Sequence, residues 1–276
     1  MPHLFCFGLG FTAATLKRRL AAQGWRVTGT SRSGDDGSLA FDGTKPLPRS
    51  AFEGITHLLV SAPPGEAGDP ILNCHAQDLA RLAGSLRWAG YLSTTGVYGD
   101  RGGDWVDETS PLEPTTARGE RRLAAETAWR DLRLPLHIFR LAGIYGPGRN
   151  QLVSLRDGTA KRIVKPGQIF SRIHVEDIAG VLEASIARRN PGQAYNVCDD
   201  EPCPPQDVVA FAAMLLEMPP PPETAFDDAE LSPMARSFYA ESKRVSNRRI
   251  KDELGYRLIY PTYREGLTAL LATLAR

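Results

Sequence analysis

Six consecutive residues, Gly8-Leu9-Gly10-Phe11-Thr12-Ala13, have the types and spacing that suit the binding of a pyrophosphate. Gly8 allows a tight turn, Gly10 lets the backbone approach phosphate oxygens, and Ala13 keeps a helix close to the strand before it. The apolar run Leu4 to Phe7 reads as that strand. After the glycines, Ala13, Leu16, Leu20 and Ala21 recur at helical spacing between Lys17, Arg18, Arg19 and Gln23. A helix starting there points free N–H groups and its positive dipole end at the phosphates. This strand, glycine turn and helix assign Gly8, Leu9, Gly10, Phe11 and Thr12 to a dinucleotide cradle, with a plain turn as the alternative.

The adenosine ribose of a dinucleotide is read at the end of the second strand, where NAD-preferring folds carry Asp or Glu about 20 residues past the glycines. Here that strand, Trp25 to Ser31, leads into Thr30-Ser31-Arg32-Ser33, with no acid at its end. Arg32 can pair with a 2′-phosphate, aided by the Ser31 and Ser33 hydroxyls, so NADP is the expected cofactor and NAD the alternative. In the competing reading Arg32 is an ordinary loop residue and Asp35 or Asp36 reaches the ribose.

The elements that must position these residues alternate along the chain. Leu39 to Phe41, Thr56 to Ser61, Gly90 to Thr94, Leu136 to Leu141 and Ala194 to Val197 read as strands. Pro70 to Leu86, Arg118 to Leu132, Glu176 to Arg188, Gln206 to Leu216 and Glu265 to Leu274 read as helices. Strands alternating with helices imply an α/β fold, a Rossmann-type doubly wound parallel sheet. From about Gly146 the pattern loosens, and the prolines between Met218 and Glu223 make a stiff connection. The expected organisation is a dinucleotide-binding core over residues 1–150. A small C-terminal lobe over 151–276 is partly interleaved with it, completes the core and carries substrate contacts.

A net charge of +1 over 276 residues gives no reason to expect nucleic acid or an acidic membrane as a partner. No apolar run approaches membrane-spanning length, and no signal peptide is apparent. The four cysteines, Cys6, Cys74, Cys198 and Cys203, lack the companions of a metal site, so no metal is expected. These features suggest a cytoplasmic protein with a small-molecule substrate, and leave a homodimer open.

Five segments in order resemble the extended short-chain dehydrogenase/reductase family, the NAD-dependent epimerase/dehydratase group. They are the glycine turn with Gly8, Gly10 and Phe11; Ser93-Thr94-Thr95-Gly96-Val97-Tyr98-Gly99-Asp100; Arg140 to Gly148, which ends Tyr-Gly-Pro-Gly; Ile173-His174-Val175-Glu176-Asp177; and Leu254-Gly255-Tyr256 with Tyr260-Pro261 and Gly266-Leu267. The resemblance implies that Asp42 contacts adenine, that Ser61, Ala62 and Pro63 line the adenosine side, and that Thr94 holds a substrate oxygen. Alternatively, Thr94 bonds its own loop. The family's glycine loop differs from this one, since Phe7 stands at its first glycine and Ala13 at its last.

A graver departure lies on the helix after the Val-Tyr-Gly loop. The family's Tyr-x-x-x-Lys pair exchanges a proton with substrate and binds the nicotinamide ribose; this chain aligns Arg118 and Arg122 there, as atypical members do. A guanidinium stays protonated and has no acceptor, so it can clamp an anion but cannot act as a base. Arg118 and Arg122 therefore read as an anion site, or else as a solvated basic helix face. Two such charges are expected to exclude a nearby Lys and to attract a substrate anion or an acidic side chain of the C-terminal lobe. A base would then come from Tyr98, Tyr145, His174 or water, although packing suits the two tyrosines and loop fixing suits His174. The resulting expectation is an NAD(P)-binding oxidoreductase or epimerase/dehydratase-like protein acting on a small polar or anionic substrate, sugar nucleotides included. The alternative is a non-catalytic NADP-binding sensor or partner-binding module.

Overall fold

A computed structural model describes residues 1–35 and 37–274. Its strands are β1 (His3–Phe7), β2 (Arg26–Ser31), β3 (Leu39–Ala40), β4 (His57–Val60), β5 (Trp88–Thr94), β6 (Trp105–Val106), β7 (Leu136–Leu141), β8 (Gly143–Tyr145), β9 (Arg162–Val164), β10 (Arg172–His174), β11 (Ala194–Val197), β12 (Glu223–Ala225) and β13 (Arg244–Val245). Its helices are α1 (Phe11–Ala22), α2 (Pro70–Leu82), α3 (Ala117–Asp131), α4 (Gln151–Arg156), α5 (Val175–Ala187), α6 (Pro205–Leu215), α7 (Pro233–Phe238), α8 (Arg248–Asp252) and α9 (Tyr263–Leu274).

The main sheet has seven strands in the order β11-β7-β5-β4-β1-β2-β3, and every pairing is parallel. This is the Rossmann-type doubly wound α/β fold. Helices cover both faces, which is why the strands read as continuous apolar runs. Side chains alternate across the sheet. Leu4 and Cys6 join Leu16 and Leu20 of α1 and Ile178 and Leu182 of α5 on one face. Phe5 and Phe7 join Leu79 of α2 and Trp129 of α3 on the other. From β1 the chain winds outward to β3, then crosses back to β4. The carboxyl ends of β1 and β4 therefore flank a topological switch point, where such sheets bind ligands.

The C-terminal half contributes in two places. β11 pairs with β7 at the sheet edge, and α5 packs along α1 through ion pairs of Arg19 with Glu176 and Glu183. A separate cluster joins Leu152 and Leu155 of α4, Val208, Val209 and Ala212 of α6, and Leu267 and Leu270 of α9. Among the described residues no helix is long and apolar enough to cross a membrane, and no cluster of His, Cys, Asp and Glu is arranged to hold a metal.

Of the boundaries that differ from the sequence reading, two have a plain physical cause. α2 stops at Leu82, not Leu86, because Gly84 and Ser85 are poor helix formers. β5 starts at Trp88, not Gly90, because Trp88 pairs with His57 of β4 and is fully buried.

A buried polar network ties α3 to the sheet. Glu126 of α3 accepts hydrogen bonds from Ser93 Oγ (2.5 Å) and from Arg140 Nη2 of β7 (2.9 Å). Arg140 Nη1 donates to the Tyr98 hydroxyl (2.9 Å), which donates to Asn196 Oδ1 of β11 (2.7 Å). Glu126 and Arg140 are 2% and 3% exposed, so neither charge can fall back on water. Glu126→Ala should therefore destabilise the protein by about 3–5 kcal/mol, as an unpaired buried charge does. Urea unfolding checks this; a loss below about 1 kcal/mol, the size seen for exposed pairs, would mean that Arg140 is solvated.

Candidate functional site

The glycine turn lies at the switch point. Gly8 has φ +89°, and a Cβ there would lie 3.1 Å from the Ala62 nitrogen after β4, so both conformation and space require glycine. Gly8 N donates to Thr30 Oγ1 (3.0 Å) and Leu9 N to Thr30 O (2.7 Å), which anchors the turn on β2. Gly10 caps α1 without a side-chain hydrogen bond, and a Cβ there would meet nothing within 4 Å. The space over Gly10 is thus open, and the N–H groups of the first helical turn have no partner within the helix. These residues fit a dinucleotide pyrophosphate.

At the end of β2, Arg32 is exposed and makes no hydrogen bond or ion pair with a described residue. The flanking hydroxyls are engaged within the loop. Ser31 Oγ accepts from Gly34 N (2.9 Å) and Ser38 Oγ (2.8 Å), and Ser33 Oγ donates to Asp35. Asp36, the other acid considered for the ribose, lies outside the described residues. Asp42 is exposed just beyond β3. Its carboxylate accepts from the Thr44 hydroxyl (2.7 Å) and nitrogen (2.9 Å), bonds that hold it below the usual carboxylate range.

A cavity of about 360 Å³ opens beside the turn. Its lining combines Thr12 and Ser61 with Ser93 and Thr94 of β5, Arg118 and Arg122 of α3, and Arg149, Arg172, Glu241 and Lys243 from later segments. Thr94 Oγ1 accepts from Gly96 N (3.2 Å), a local loop bond that leaves its O–H free to donate. Thr116 caps α3, and Gly119 lets the helix start tightly against the turn after β5, since a Cβ there would lie 2.7 Å from Gly96 O. Arg122 is buried and donates to Leu92 O (2.7 Å) and Tyr91 Oη (3.1 Å), so it is not part of a solvated face. Arg118 reaches the cavity mouth, 5.6 Å from the Phe238 ring centre. Partial desolvation, then the charges of Arg122 and Arg149, pull its pKa down against the opposing field of Glu241.

The acid–base candidates take the packing and loop-fixing positions that suit them. Tyr98, Tyr145 and His174 do not line the cavity. Burial pushes Tyr98 up to about 12 and moves Tyr145 upward too. His174 caps α5 by accepting from Glu176 N (3.2 Å), and burial pulls it down to about 4, leaving it neutral. The expected exclusion of lysine, by contrast, fails. Lys243 stands in the cavity wall with Nζ 2.7 Å from Glu241 Oε2, and both side chains are nearly buried. The exclusion argument weighed Arg118 and Arg122 alone, whereas Glu241 offsets their repulsion. The charge of Glu241 acts on Arg118, but its carboxylate pairs with Lys243 and not with Arg118 or Arg122. Thr115 (3.1 Å) and Thr116 (3.4 Å) also donate to that carboxylate. Nothing in the sequence pattern marked Glu241, Lys243, Arg149 or Arg172 as parts of one site.

These features place the molecule among Rossmann-type α/β proteins and agree with the resemblance to the extended short-chain dehydrogenase/reductase class. Its solved neighbours include proteins described as NAD-dependent epimerase/dehydratases, which this chain resembles. A structure of a functionally unknown conserved protein from Silicibacter pomeroyi is 55% identical, with full coverage of both chains and a TM-score of 0.93. A protein from Methylobacillus flagellatus, provisionally assigned to the NAD-dependent epimerase/dehydratases, is 28% identical over 100% of this chain and 99% of its own, with a TM-score of 0.74. Protein YeeZ of Escherichia coli K12 is 28% identical over 95% of this chain and 97% of its own. More distantly, the fold recurs in MoeE5 solved with UDP-glucose and NAD (19% identity over 100% of this chain and 99% of its own, TM-score 0.78). It recurs also in the human epimerase family protein SDR39U1 solved with NADPH (19% identity over 99% of each chain, TM-score 0.76). No family model matches the chain.

Because Gly10 has open space above it and an ordinary φ of −83°, Gly10→Val should cost the fold no more than about 1 kcal/mol, the scale of a cap change. Its side chain would fill the space meant for phosphate. NADPH binding by calorimetry should vanish while the melting transition stays near wild type; retained binding would remove the pyrophosphate from this turn.

Proposed function

We propose that the chain is an NAD(P)-dependent oxidoreductase or epimerase/dehydratase-like enzyme acting on a small anionic substrate. The observation that carries this reading is the single cavity that joins the open glycine turn, through Thr12 and Ser61, to Thr94 and a cluster of cations. The NAD and NADPH bound by MoeE5 and SDR39U1 on the same fold support a nicotinamide cofactor. When bound, such a cofactor supplies hydride transfer. Gly8, Leu9, Gly10, Phe11 and Thr12 would hold its pyrophosphate, Arg32 a 2′-phosphate, and Asp42, Ser61, Ala62 and Pro63 the adenosine side. Residues 1–150 then serve as the dinucleotide-binding half and 151–276 as the substrate lobe.

Around the substrate, each residue has a role that its chemistry permits. Arg118 attracts an anion and stays charged throughout. Arg122, committed to Leu92 O, positions the end of β5 and thereby Thr94. The Thr94 hydroxyl and the Lys243 ammonium are the donors available to a substrate oxygen. The absence of Tyr and Lys from the first turns of α3 favours a second reading, a dinucleotide-binding module without turnover. Substrate-dependent NADPH consumption separates the two.

Among the described residues Arg32 has no carboxylate partner to give up, so its charge is available to a 2′-phosphate. NADPH should bind more tightly than NADH, and Arg32→Ala should narrow the gap by about tenfold or more, the size of one charge-assisted contact. Equal calorimetric titrations of both cofactors with the wild-type protein would rule out the phosphorylated cofactor as the preferred one.

A further inference from the structure

We infer that Arg118 and Arg149 form a fork for one compact anionic group of the substrate, a phosphate or a carboxylate, and not for the diphosphate of a sugar nucleotide. The inference rests on the reading of this cavity as the substrate site beside a nicotinamide cofactor.

The two side chains enter the cavity from separate elements. Arg118 comes from the first turn of α3. Arg149 comes from a tight turn closed by hydrogen bonds between Gly146 N and Arg149 O (2.9 Å) and between Arg149 N and Gly146 O (3.1 Å). The other cations of the cavity each have a partner in the protein. Arg122 donates to Leu92 O, Arg172 donates to Phe170 O (3.2 Å), and Lys243 pairs with Glu241. Neither Arg118 nor Arg149 has a hydrogen bond or ion pair through its guanidinium with any described residue. The charge of Arg149 acts on Arg118, so the two stand near enough to repel each other. Like charges facing one cavity are unfavourable until an anion lies between them, and a guanidinium offers the paired donors that phosphate and carboxylate oxygens accept.

Space argues for a compact ligand. The cavity of about 360 Å³ lies near the small end of ligand cavities, roughly 300–1,000 Å³, and it must also admit the nicotinamide end of the cofactor. Ile169, Phe170 and Phe238 line the cavity with apolar surface. That lining suits a short carbon skeleton on the anionic group better than a second nucleotide.

The test is calorimetric titration of the full chain, with saturating NADPH and again without cofactor, using phosphoglycolate, malonate and UDP-glucose as probes. Phosphoglycolate or malonate should bind more tightly than UDP-glucose, and the tighter of the two distinguishes a phosphate site from a carboxylate site. Arg118→Ala and Arg149→Ala should each weaken that probe about tenfold or more. Both side chains are exposed, so the variants should keep the wild-type melting transition, and NADPH affinity should stay within about twofold. Tighter binding of UDP-glucose, or no binding of either compact anion at millimolar concentration, overturns the inference. So does a large loss of NADPH affinity in Arg149→Ala, because Gly146 packs beside Phe11 at the glycine turn and the guanidinium would then belong to the cofactor pyrophosphate. If NADPH fails to bind but compact anions still bind through both arginines, the cofactor reading falls and the fork stands.

Discussion

The buried pair of Glu126 and Arg140 holds together the elements that line the cavity. It joins α3 to β7, holds Ser93 at the end of β5, and engages the Tyr98 hydroxyl of the following turn. Removing two charges from water costs several kcal/mol per ion, and this arrangement offsets it with further hydrogen bonds on both partners. Arg118, Arg122 and Glu126 stand four residues apart on α3 and so share one face. Along that stripe the side chains pass from exposed at Arg118, to 9% exposed at Arg122, to 2% at Glu126. One helix face therefore serves the cavity at its amino end and the core further along. The position of Arg118 follows from how Glu126 is anchored two turns away.

The later segments reach the cavity by long-range pairing. β13 pairs with β6, and Ser242 N donates to Asp100 Oδ1 (2.7 Å), which straps the stretch carrying Glu241 and Lys243 beside the turn after β5. Asp177 secures the chain that follows, accepting from the Tyr256 hydroxyl (2.8 Å), Ile259 N (2.6 Å) and Tyr260 N (3.1 Å). The His-Val-Glu-Asp and Leu-Gly-Tyr segments that support the family resemblance are thus a structural clasp: His174 caps α5 and Asp177 holds the C-terminal loop. Their retention speaks for the fold and is neutral about catalysis.

The sheet was legible in the sequence because burial on both faces produces the apolar runs of β1, β4, β5 and β7, and because the glycine turn marks the first crossover. The cation cluster was legible only in part. Arg118 and Arg122 stood out through the family alignment. Arg149, Glu241 and Lys243 lie in irregular segments whose local composition matches any charged surface loop, and only tertiary pairing gathers them. Arg140 misleads in the opposite direction, since it opens a segment that resembles a family motif yet its charge is spent on Glu126. The exclusion of lysine shows the same limit: a field judged from one helix omits a carboxylate that arrives more than a hundred residues later in the chain.

The pattern of pairing separates what the fold requires from what it does not. Where cations support packing they are matched: Arg140 with Glu126 in the core, Arg19 with Glu176 and Glu183 between α1 and α5, Lys243 with Glu241 in the cavity wall. Arg118 and Arg149 gain nothing comparable from the described residues, and each raises the electrostatic cost of the other. Exposed charges are cheap to leave single, because water screens them. Two of them directed at one partly enclosed cavity are less well screened, and the field of Glu241 offsets only part of the pull on Arg118. Stability gives no reason to keep this arrangement, whereas recognition of an anion does.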